Sequence, residues 1–176
     1  MSVPEEHKKS APKKISFAIF VVSTSRYKLI SKGKKFEDKT GDIITSLINK
    51  ANYSVIHREI IPDDVSFIRK SLLKATKLME ADVIIFTGGT GLSPKDVTLE
   101  AIYPLLNKDI PGFGELFRFL SYQEIGSSAL LSRAIAGVYK DKVVFCLPGS
   151  PDACKLALEK LILPEIGHIL KHVREK

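Results

Sequence analysis

The sequence predicts a three-layer α/β/α fold in which helices cover both faces of a central, mostly parallel sheet. Short apolar runs alternate along the chain with amphipathic helical segments, which is the pattern of β–α–β units. The apolar run of residues 15–22 is continuous rather than alternating, so this strand is expected to be buried on both faces. Two turns rich in glycine or proline follow apolar runs, and ligands bind at this end of the strands in such sheets.

The chain of 176 residues suits one domain with a single core, and neither an internal repeat nor an interdomain linker interrupts it. We expect a flexible basic tail over residues 1–14 and one folded domain over residues 15–176. The composition, 44% hydrophobic and 27% charged, is typical of a soluble globular protein. No apolar run approaches the roughly 20 residues of a membrane span, and the N-terminus lacks the apolar segment of a secretory signal.

The first half of the chain is predicted to contain three strands and two helices. The strands cover residues 15–22, 53–60 and 81–86, and the first helix covers residues 42–51. The second helix opens at residues 62–64. Its apolar residues recur at intervals of three to four and are Val65, Ile68, Leu72, Ala75 and Met79. Such a stripe has to face the sheet.

The second half is predicted to contain three helices and one strand. Residues 98–106 and 112–120 are helices, and residues 143–147 form a buried strand. After that strand, Ser150 can cap a helix whose first position is Pro151 and which continues towards residue 163.

The formal net charge of +7 is concentrated in two segments. Residues 1–14 carry four lysines against two glutamates, and residues 26–39 carry six basic against two acidic side chains. We interpret the second segment as a mobile loop that could steer a polyanionic small molecule as readily as a nucleic acid. No recognised nucleic-acid module accompanies the charge, so nucleic-acid binding ranks last. The two cysteines, Cys146 and Cys154, are predicted core residues, which favours a cytoplasmic protein.

Residues 87–98 read Thr-Gly-Gly-Thr-Gly-Leu-Ser-Pro-Lys-Asp-Val-Thr, directly after a predicted buried strand. Glycines can take positive φ there and let main-chain N–H groups converge on an anion, although the spacing is neither that of a P-loop nor of Gly-x-Gly-x-x-Gly. The hydroxyls, together with Lys95 for phosphate and Asp96 for a metal, exceed what a tight turn requires. Asp96 could instead interact with the following helix N-terminus, and Asp63 could be a helix N-cap.

Several ordered motifs resemble the MoaB/MogA family of molybdenum cofactor biosynthesis. They are residues 87–98, the segment Asp-Ile-Pro-Gly-Phe-Gly-Glu-Leu-Phe-Arg at 109–118, Ser132-Arg133, and Leu-Pro-Gly-Ser at 147–150. The resemblance covers nearly all of residues 15–163, and residues 113–127 are similar to the MoaB branch. It implies an α/β fold in trimers or hexamers. The implied activity is the transfer of AMP from Mg-ATP to molybdopterin with release of pyrophosphate, after which a separate protein inserts molybdate or tungstate.

The resemblance also implies site residues. Asp63, in Ile-Pro-Asp, and Asp96 match the family's two catalytic aspartates and are expected to hold Mg²⁺. The implied nucleotide- and substrate-binding positions are Ser23, Thr87, Gly88, Gly89, Thr90, Gly91, Lys95, Thr98, Glu115, Arg118, Ser132, Arg133, Pro148, Gly149 and Ser150. For Arg118 and Arg133 a structural ion pair or a subunit-interface role stays open. Core or interface packing is favoured over pterin stacking for four aromatic residues, namely Phe113, Phe117, Phe119 and Tyr122.

Two functions from different classes therefore remain. The first is a molybdopterin adenylyltransferase with ATP as co-substrate, and the second is a catalytically silent molybdopterin-binding or scaffold protein. Some MoaB-branch proteins lack the aspartate of Ile-Pro-Asp, whereas this chain keeps it as Asp63, which favours the enzyme. The expected partners are further copies of the chain and a downstream insertion protein, with no membrane and no nucleic acid.

Overall fold

The computed structural model describes Pro12 and residues 14–175 and contains one six-stranded sheet. The predicted tail of residues 1–14 therefore lies outside the described residues, apart from Pro12 and Lys14. The strands are β1 (Ser16–Val22), β2 (Ser54–Ile61), β3 (Val83–Thr87), β4 (Lys108–Asp109), β5 (Ile135–Tyr139) and β6 (Lys142–Leu147). Their order is β2-β1-β3-β6-β5-β4; the first four are parallel, and the last two pair antiparallel at one edge.

Seven α-helices are found in the described part of the chain. They are α1 (Thr24–Ser31), α2 (Lys39–Lys50), α3 (Val65–Lys77), α4 (Thr98–Ile102), α5 (Pro111–Ile125), α6 (Pro151–Ala157) and α7 (Leu163–Arg174). Short 3₁₀ segments follow α4 and α5, and a π-helical segment, Leu158–Ile162, joins α6 to α7. None of the described helices is both long and apolar enough to cross a membrane.

The central strands β1, β3 and β6 are buried on both faces, as expected for a three-layer fold, whereas β2 is partly exposed and β4 is exposed. In β1 the side chains of Phe17 and Ile19 pack with α2, α5, α6 and α7, whereas Phe20 packs with α3 and α4 on the opposite face. Because side chains alternate across a strand, a strand covered on both sides needs apolar residues at every position. Burying each such side chain stabilises the fold by about 1.5–3 kcal/mol.

The carboxyl ends of β1, β2, β3 and β6 meet at one edge of the sheet. Ser23, Pro62, Gly88 and Pro148 are the residues that follow these strands directly. Because β2 and β3 lie on opposite sides of β1, the chain reverses its winding direction between β1 and β3. Crevices in open α/β sheets form at such switch points.

The interpretation of residues 26–39 as a loop was wrong for residues 26–31 and 39, which are helical, whereas residues 32–38 connect the two helices without regular structure. Residues 24–31 form α1, which is capped by Ser23, and Asp38 is buried. The Asp38 carboxylate accepts the Gly41 N–H at 3.1 Å and pairs with Arg58 of β2. This cap makes α2 begin at Lys39 rather than at residue 42.

Other boundaries differ for identifiable reasons. The helix predicted over 98–106 changes to 3₁₀ geometry at Tyr103, next to Pro104, which has no N–H to donate. The helix from Pro151 does not stop near 163, because the π segment carries it into α7. Strands β4 and β5 were not predicted, since one has two residues and the other contains a glycine at its centre.

Candidate active site

The glycine-rich turn after β3 and the Pro-Gly-Ser turn after β6 form two walls of a cavity of about 440 Å³. Ten of the predicted site residues line it, namely Gly88, Gly89, Thr90, Gly91, Asp96, Ser132, Arg133, Pro148, Gly149 and Ser150. The remaining wall is largely apolar and comes from α5 and the segment after it, for example Phe117, Ile125 and Leu131. One cavity thus combines main-chain polar groups with an apolar surface, which is the usual make-up of a small-molecule site.

The shape of the first turn depends on its glycines. Gly88 has φ +98° and Gly89 has φ +61°, and a Cβ at Gly88 would overlap the carbonyl oxygen of Val22 in β1. The buried Thr98 ties this backbone down, because its hydroxyl donates to the Gly88 carbonyl at 2.8 Å and its N–H donates to the Gly89 carbonyl at 2.9 Å. The turn is therefore held in a conformation that a residue with a side chain rarely adopts.

The same turn contains main-chain N–H groups that have no partner in the described part of the chain. The N–H groups of Gly89, Thr90 and Gly91 donate to no acceptor among the residues that the structure describes, although a buried N–H group normally has a partner. Asp96 lies beside them: its Oδ2 accepts the Ser93 N–H at 3.0 Å and lies 2.7 Å from the position that a Cβ on Gly91 would take. Helix α4 has no side-chain cap, so Asp96 does not serve as its N-cap.

Hydrogen bonds fix the second turn, the Pro-Gly-Ser turn after β6. Ser150 caps α6 by accepting the Ala153 N–H at 3.3 Å, which confirms the predicted cap. The hydroxyl of the buried Thr87 donates to the Pro148 carbonyl at 2.8 Å. A Cβ on Gly149 would lie 3.3 Å from the Gly88 Cα, so the two turns touch, glycine against glycine.

Asp63 lies on the other side of the glycine-rich loop, in a neighbouring cavity of about 730 Å³. Its Oδ2 accepts the N–H of Thr24 at 2.7 Å and the hydroxyl of Thr24 at 2.8 Å, while its Oδ1 faces Gly89. Lys28 and Lys95 line the same cavity. The N-cap interpretation of Asp63 was wrong, because Asp64 caps α3 by accepting the Phe67 N–H at 3.0 Å. The Asp63 carboxylate therefore does not cap α3; it contacts Thr24, the first residue of α1.

Arg133 has the structural role that the sequence left open, and it also lines the main cavity. Its Nε donates to the Thr90 carbonyl at 3.0 Å, and its Nη1 lies 2.7 Å from Oε1 of Glu100 in α4. The hydrogen bond from Arg133 lowers the pKa of Glu100. Arg133 thus ties the middle of the glycine-rich turn to the next helix.

The other predicted site residues lie apart from the main cavity. Thr87 and Thr98 are fully buried, so their side chains hold backbone rather than line the cavity. Ser23 caps α1 and lines neither of the two cavities described above. Glu115 and Arg118 line a separate cavity of about 210 Å³ next to β5.

Two further features concern a hydroxyl in the wall of the main cavity and the aromatic residues of α5. The Ser132 hydroxyl is buried, and within the described ranges it has no hydrogen-bond partner. Phe113 and Phe117 pack in the core as expected. In contrast, Phe119 and Tyr122 of α5 are exposed. Four other apolar residues of α5 and the segment after it are exposed as well, namely Leu116, Ile125, Leu130 and Leu131.

The donor set fits a hard divalent cation only in part. Across Pro12 and residues 14–175, no group of three or more histidine, cysteine or acidic side chains is arranged to hold a metal. Mg²⁺, however, is typically bound by one or two carboxylates together with phosphate oxygens and water. Asp96 fits that mode of binding with one carboxylate in the main cavity, whereas Asp63 offers a carboxylate in the neighbouring cavity, on the other side of the loop.

Sequence reasoning missed the residues that hold the site from outside. Thr24 fixes Asp63 and Thr40 of α2 donates to the Gly149 carbonyl at 2.9 Å, yet neither lies in a recognisable motif. The available signal was the position of Thr24 two residues after the end of the first strand.

Comparison with known proteins places these observations in context. Residues 18–168 match a family model described as "Probable molybdopterin binding domain". The chain is 44% identical over 163 residues to the "Probable molybdopterin adenylyltransferase" of Methanocaldococcus jannaschii, covering 93% of this chain and 96% of that protein. It is 46% identical over 170 residues to the molybdenum cofactor biosynthesis protein B of Bacillus anthracis, covering 96% of each. The crystal structure of the tungsten cofactor synthesizing protein MoaB from Pyrococcus furiosus superposes with a TM-score of 0.83 at 41% identity, covering 94% of this chain and 100% of that chain.

Proposed function

Since the chain belongs to the MoaB/MogA family of molybdopterin-binding proteins, we propose that it is a molybdopterin adenylyltransferase. It transfers AMP from ATP to the terminal phosphate of molybdopterin and releases pyrophosphate. One observation carries the proposal: Gly89, Thr90 and Gly91, whose N–H groups have no acceptor among the described residues, line the same cavity as Asp96. Main-chain donors suit a phosphate, and the carboxylate suits a cation bound beside it.

The chemistry needs positioning more than proton transfer. A phosphate oxygen of molybdopterin attacks the α-phosphorus of ATP, the bond to the bridging oxygen breaks, and pyrophosphate leaves with that electron pair. The nucleophile is already charged, so the main task is to bring two polyanions together. The N–H groups of the glycine-rich turn bind phosphate oxygens, and Lys95 and Lys28 reduce the repulsion on the Asp63 side of the loop.

Asp96 and Asp63 are the residues that hold Mg²⁺ in this proposal. When bound, the cation neutralises charge on the phosphates and on the leaving pyrophosphate. Thr24 orients Asp63 through two hydrogen bonds to Oδ2, which leaves Oδ1 for a ligand. The Ser93 N–H orients Asp96 in the same way.

The apolar wall of the main cavity suits the pterin, and its polar walls suit the phosphates. Ser132 lines this cavity, and its hydroxyl, which has no partner among the described residues, is proposed to hydrogen-bond a ligand. Arg118 and Glu115 line the separate cavity of about 210 Å³ next to β5. Arg118 has no hydrogen bond or ion pair with any described residue, and we propose that it contacts an anion.

The test is to incubate the protein with Mg-ATP and fresh molybdopterin and to identify adenylylated molybdopterin by mass spectrometry. The Asp96→Asn variant is expected to fold normally, because the amide oxygen still accepts the Ser93 N–H, and to lose most of its turnover. A matched control is Asp141→Asn, since Asp141 lies in the turn before β6, at the opposite edge of the sheet. Wild-type turnover in Asp96→Asn would remove Asp96 from the mechanism.

The same assay separates the second function. Tight binding of molybdopterin without any adenylylated product would identify a silent binding or scaffold protein.

The exposed apolar surface on α5 and the segment after it supports a homo-oligomer, a trimer or a hexamer, because monomers rarely expose such a patch. We further propose that the protein acts in the cytoplasm and delivers its product to a molybdate- or tungstate-insertion protein.

A further inference from the structure

Two consecutive carbonyl groups of the Pro-Gly-Ser turn are held by buried hydroxyls. The Thr87 hydroxyl donates to the Pro148 carbonyl at 2.8 Å, and the Thr40 hydroxyl donates to the Gly149 carbonyl at 2.9 Å. Thr87 is 0% and Thr40 is 1% exposed, and neither lines the main cavity. Both carbonyls therefore point into the body of the protein.

The orientation of these carbonyls determines where the neighbouring N–H groups point. In a trans peptide the C=O and the N–H of one unit are antiparallel, and no described peptide bond is cis. The N–H groups of Gly149 and Ser150 are consequently directed away from the two threonines, and both residues line the main cavity. Neither group donates to an acceptor within the part of the chain that the structure covers.

Thr40 lies 109 residues from Gly149 in the sequence. Its position depends on the contacts that anchor the start of α2. It occupies the first turn of α2, directly after the Asp38 cap. Arg58 of β2 pairs with Asp38 and also donates to Asp42 at 2.7 Å. Helix α2 is thus anchored to β2, and its first turn supports the floor of the cavity.

We propose that Thr40 is a positioning residue of the site: its hydroxyl fixes the Gly149–Ser150 peptide so that the turn binds a phosphate group opposite the glycine-rich turn. This inference rests on the proposed function for the identity of the phosphates, which belong to ATP and molybdopterin. The geometry of the two turns suits the reaction, since each wall of one cavity then holds one of the two anions that have to meet.

The test uses inorganic pyrophosphate as the probe and isothermal titration calorimetry of the full chain at 25 °C. Thr40→Val removes the hydroxyl at nearly constant volume, and Thr40→Ser retains it. We expect Thr40→Val to raise the Kd for pyrophosphate roughly tenfold, the loss expected when a donor to a charged group is misdirected. Thr40→Ser is expected to restore the Kd to within about twofold of wild type.

Thr45→Val is the matched control, because the Thr45 hydroxyl lies buried on the same helix without a partner in the described chain. Its removal should leave the Kd unchanged. A purely structural role of Thr40 would lower the melting temperature of Thr40→Val and leave the Kd at 25 °C unchanged. If Thr40→Val fails to fold, Thr40→Ala is measured in the same way.

The outcomes separate this inference from the proposed function. An unchanged Kd in Thr40→Val, or no binding of pyrophosphate by the wild type, overturns the inference even if AMP transfer is observed. Binding that depends on Thr40 in a protein that makes no adenylylated product supports the inference and refutes the enzyme.

Discussion

Gly88→Ala provides the sharpest test of the strained turn that shapes the candidate site. Gly88 has φ +98°, and a new Cβ would overlap the carbonyl oxygen of Val22 in the adjacent strand. The positive φ alone costs an L-residue roughly 1–2 kcal/mol. Overpacking against a fixed neighbour typically adds about 1–3 kcal/mol. The neighbour here is backbone of the central strand β1, which cannot move as a side chain can.

We therefore expect Gly88→Ala to lower the free energy of unfolding by about 2–5 kcal/mol. For a chain of this size that corresponds to a fall in the melting temperature of roughly 4–20 °C. Urea unfolding followed by circular dichroism gives the difference directly, provided that all variants are compared at one protein concentration.

Substitutions at two further glycines separate the contributions of backbone strain and overpacking to the free energy of unfolding. Gly33 has φ +67° with nothing within 4 Å of a new Cβ, so Gly33→Ala should cost only the backbone strain. Gly112 lies in α5 with equally open space, so Gly112→Ala should be neutral or stabilising by up to about 1 kcal/mol. If Gly88→Ala were no more destabilising than Gly33→Ala, the close approach of Gly88 to β1 would not be real.

Two other predictions concern ionisable groups. Partial burial opposes ionisation of Asp82, but hydrogen bonds from Arg174 and Ser16 outweigh it and lower its pKa. This stabilisation is complete above the unfolded-state pKa of about 3.9 and is lost as the pH falls through the lower folded value. Asp82→Asn should therefore cost about 1–3 kcal/mol at pH 7 and much less at about pH 2, measured by urea unfolding at both pH values. Burial also raises the pKa of Cys154 to about 11 and that of Cys146 further. Neither thiol should react with a disulfide reagent at pH 8 until urea unfolds the protein, and fast labelling of the native protein would contradict the burial.

Much of the fold could be predicted from the sequence, because buried parallel strands have a local signature. The apolar runs of β1 and β3 are continuous, and the glycines at 88 and 89 mark the turn that needs positive φ. The contribution of Asp96 to the main cavity follows from its distance along the chain from those glycines, since a short loop cannot carry it far away.

The remaining features depend on contacts that sequence spacing does not encode. Asp63 and Asp64 are adjacent carboxylates before one helix, and only the three-dimensional contact with Thr24 decides that Asp64 is the cap. Helix α1 has no buried residue, so its sequence lacks the apolar stripe that identifies a helix. Its basic residues suggested a loop for that reason.

The contact between Gly88 and Gly149 has an evolutionary consequence. A Cβ on Gly149 would lie 3.3 Å from the Gly88 Cα, so the glycine-rich turn occupies the space that a side chain at position 149 would need. A larger residue at position 149 cannot be accommodated by a smaller residue at position 88, since none exists. The cavity is therefore expected to vary less at these two turns than at its apolar wall, for example at Ile125 and Leu131.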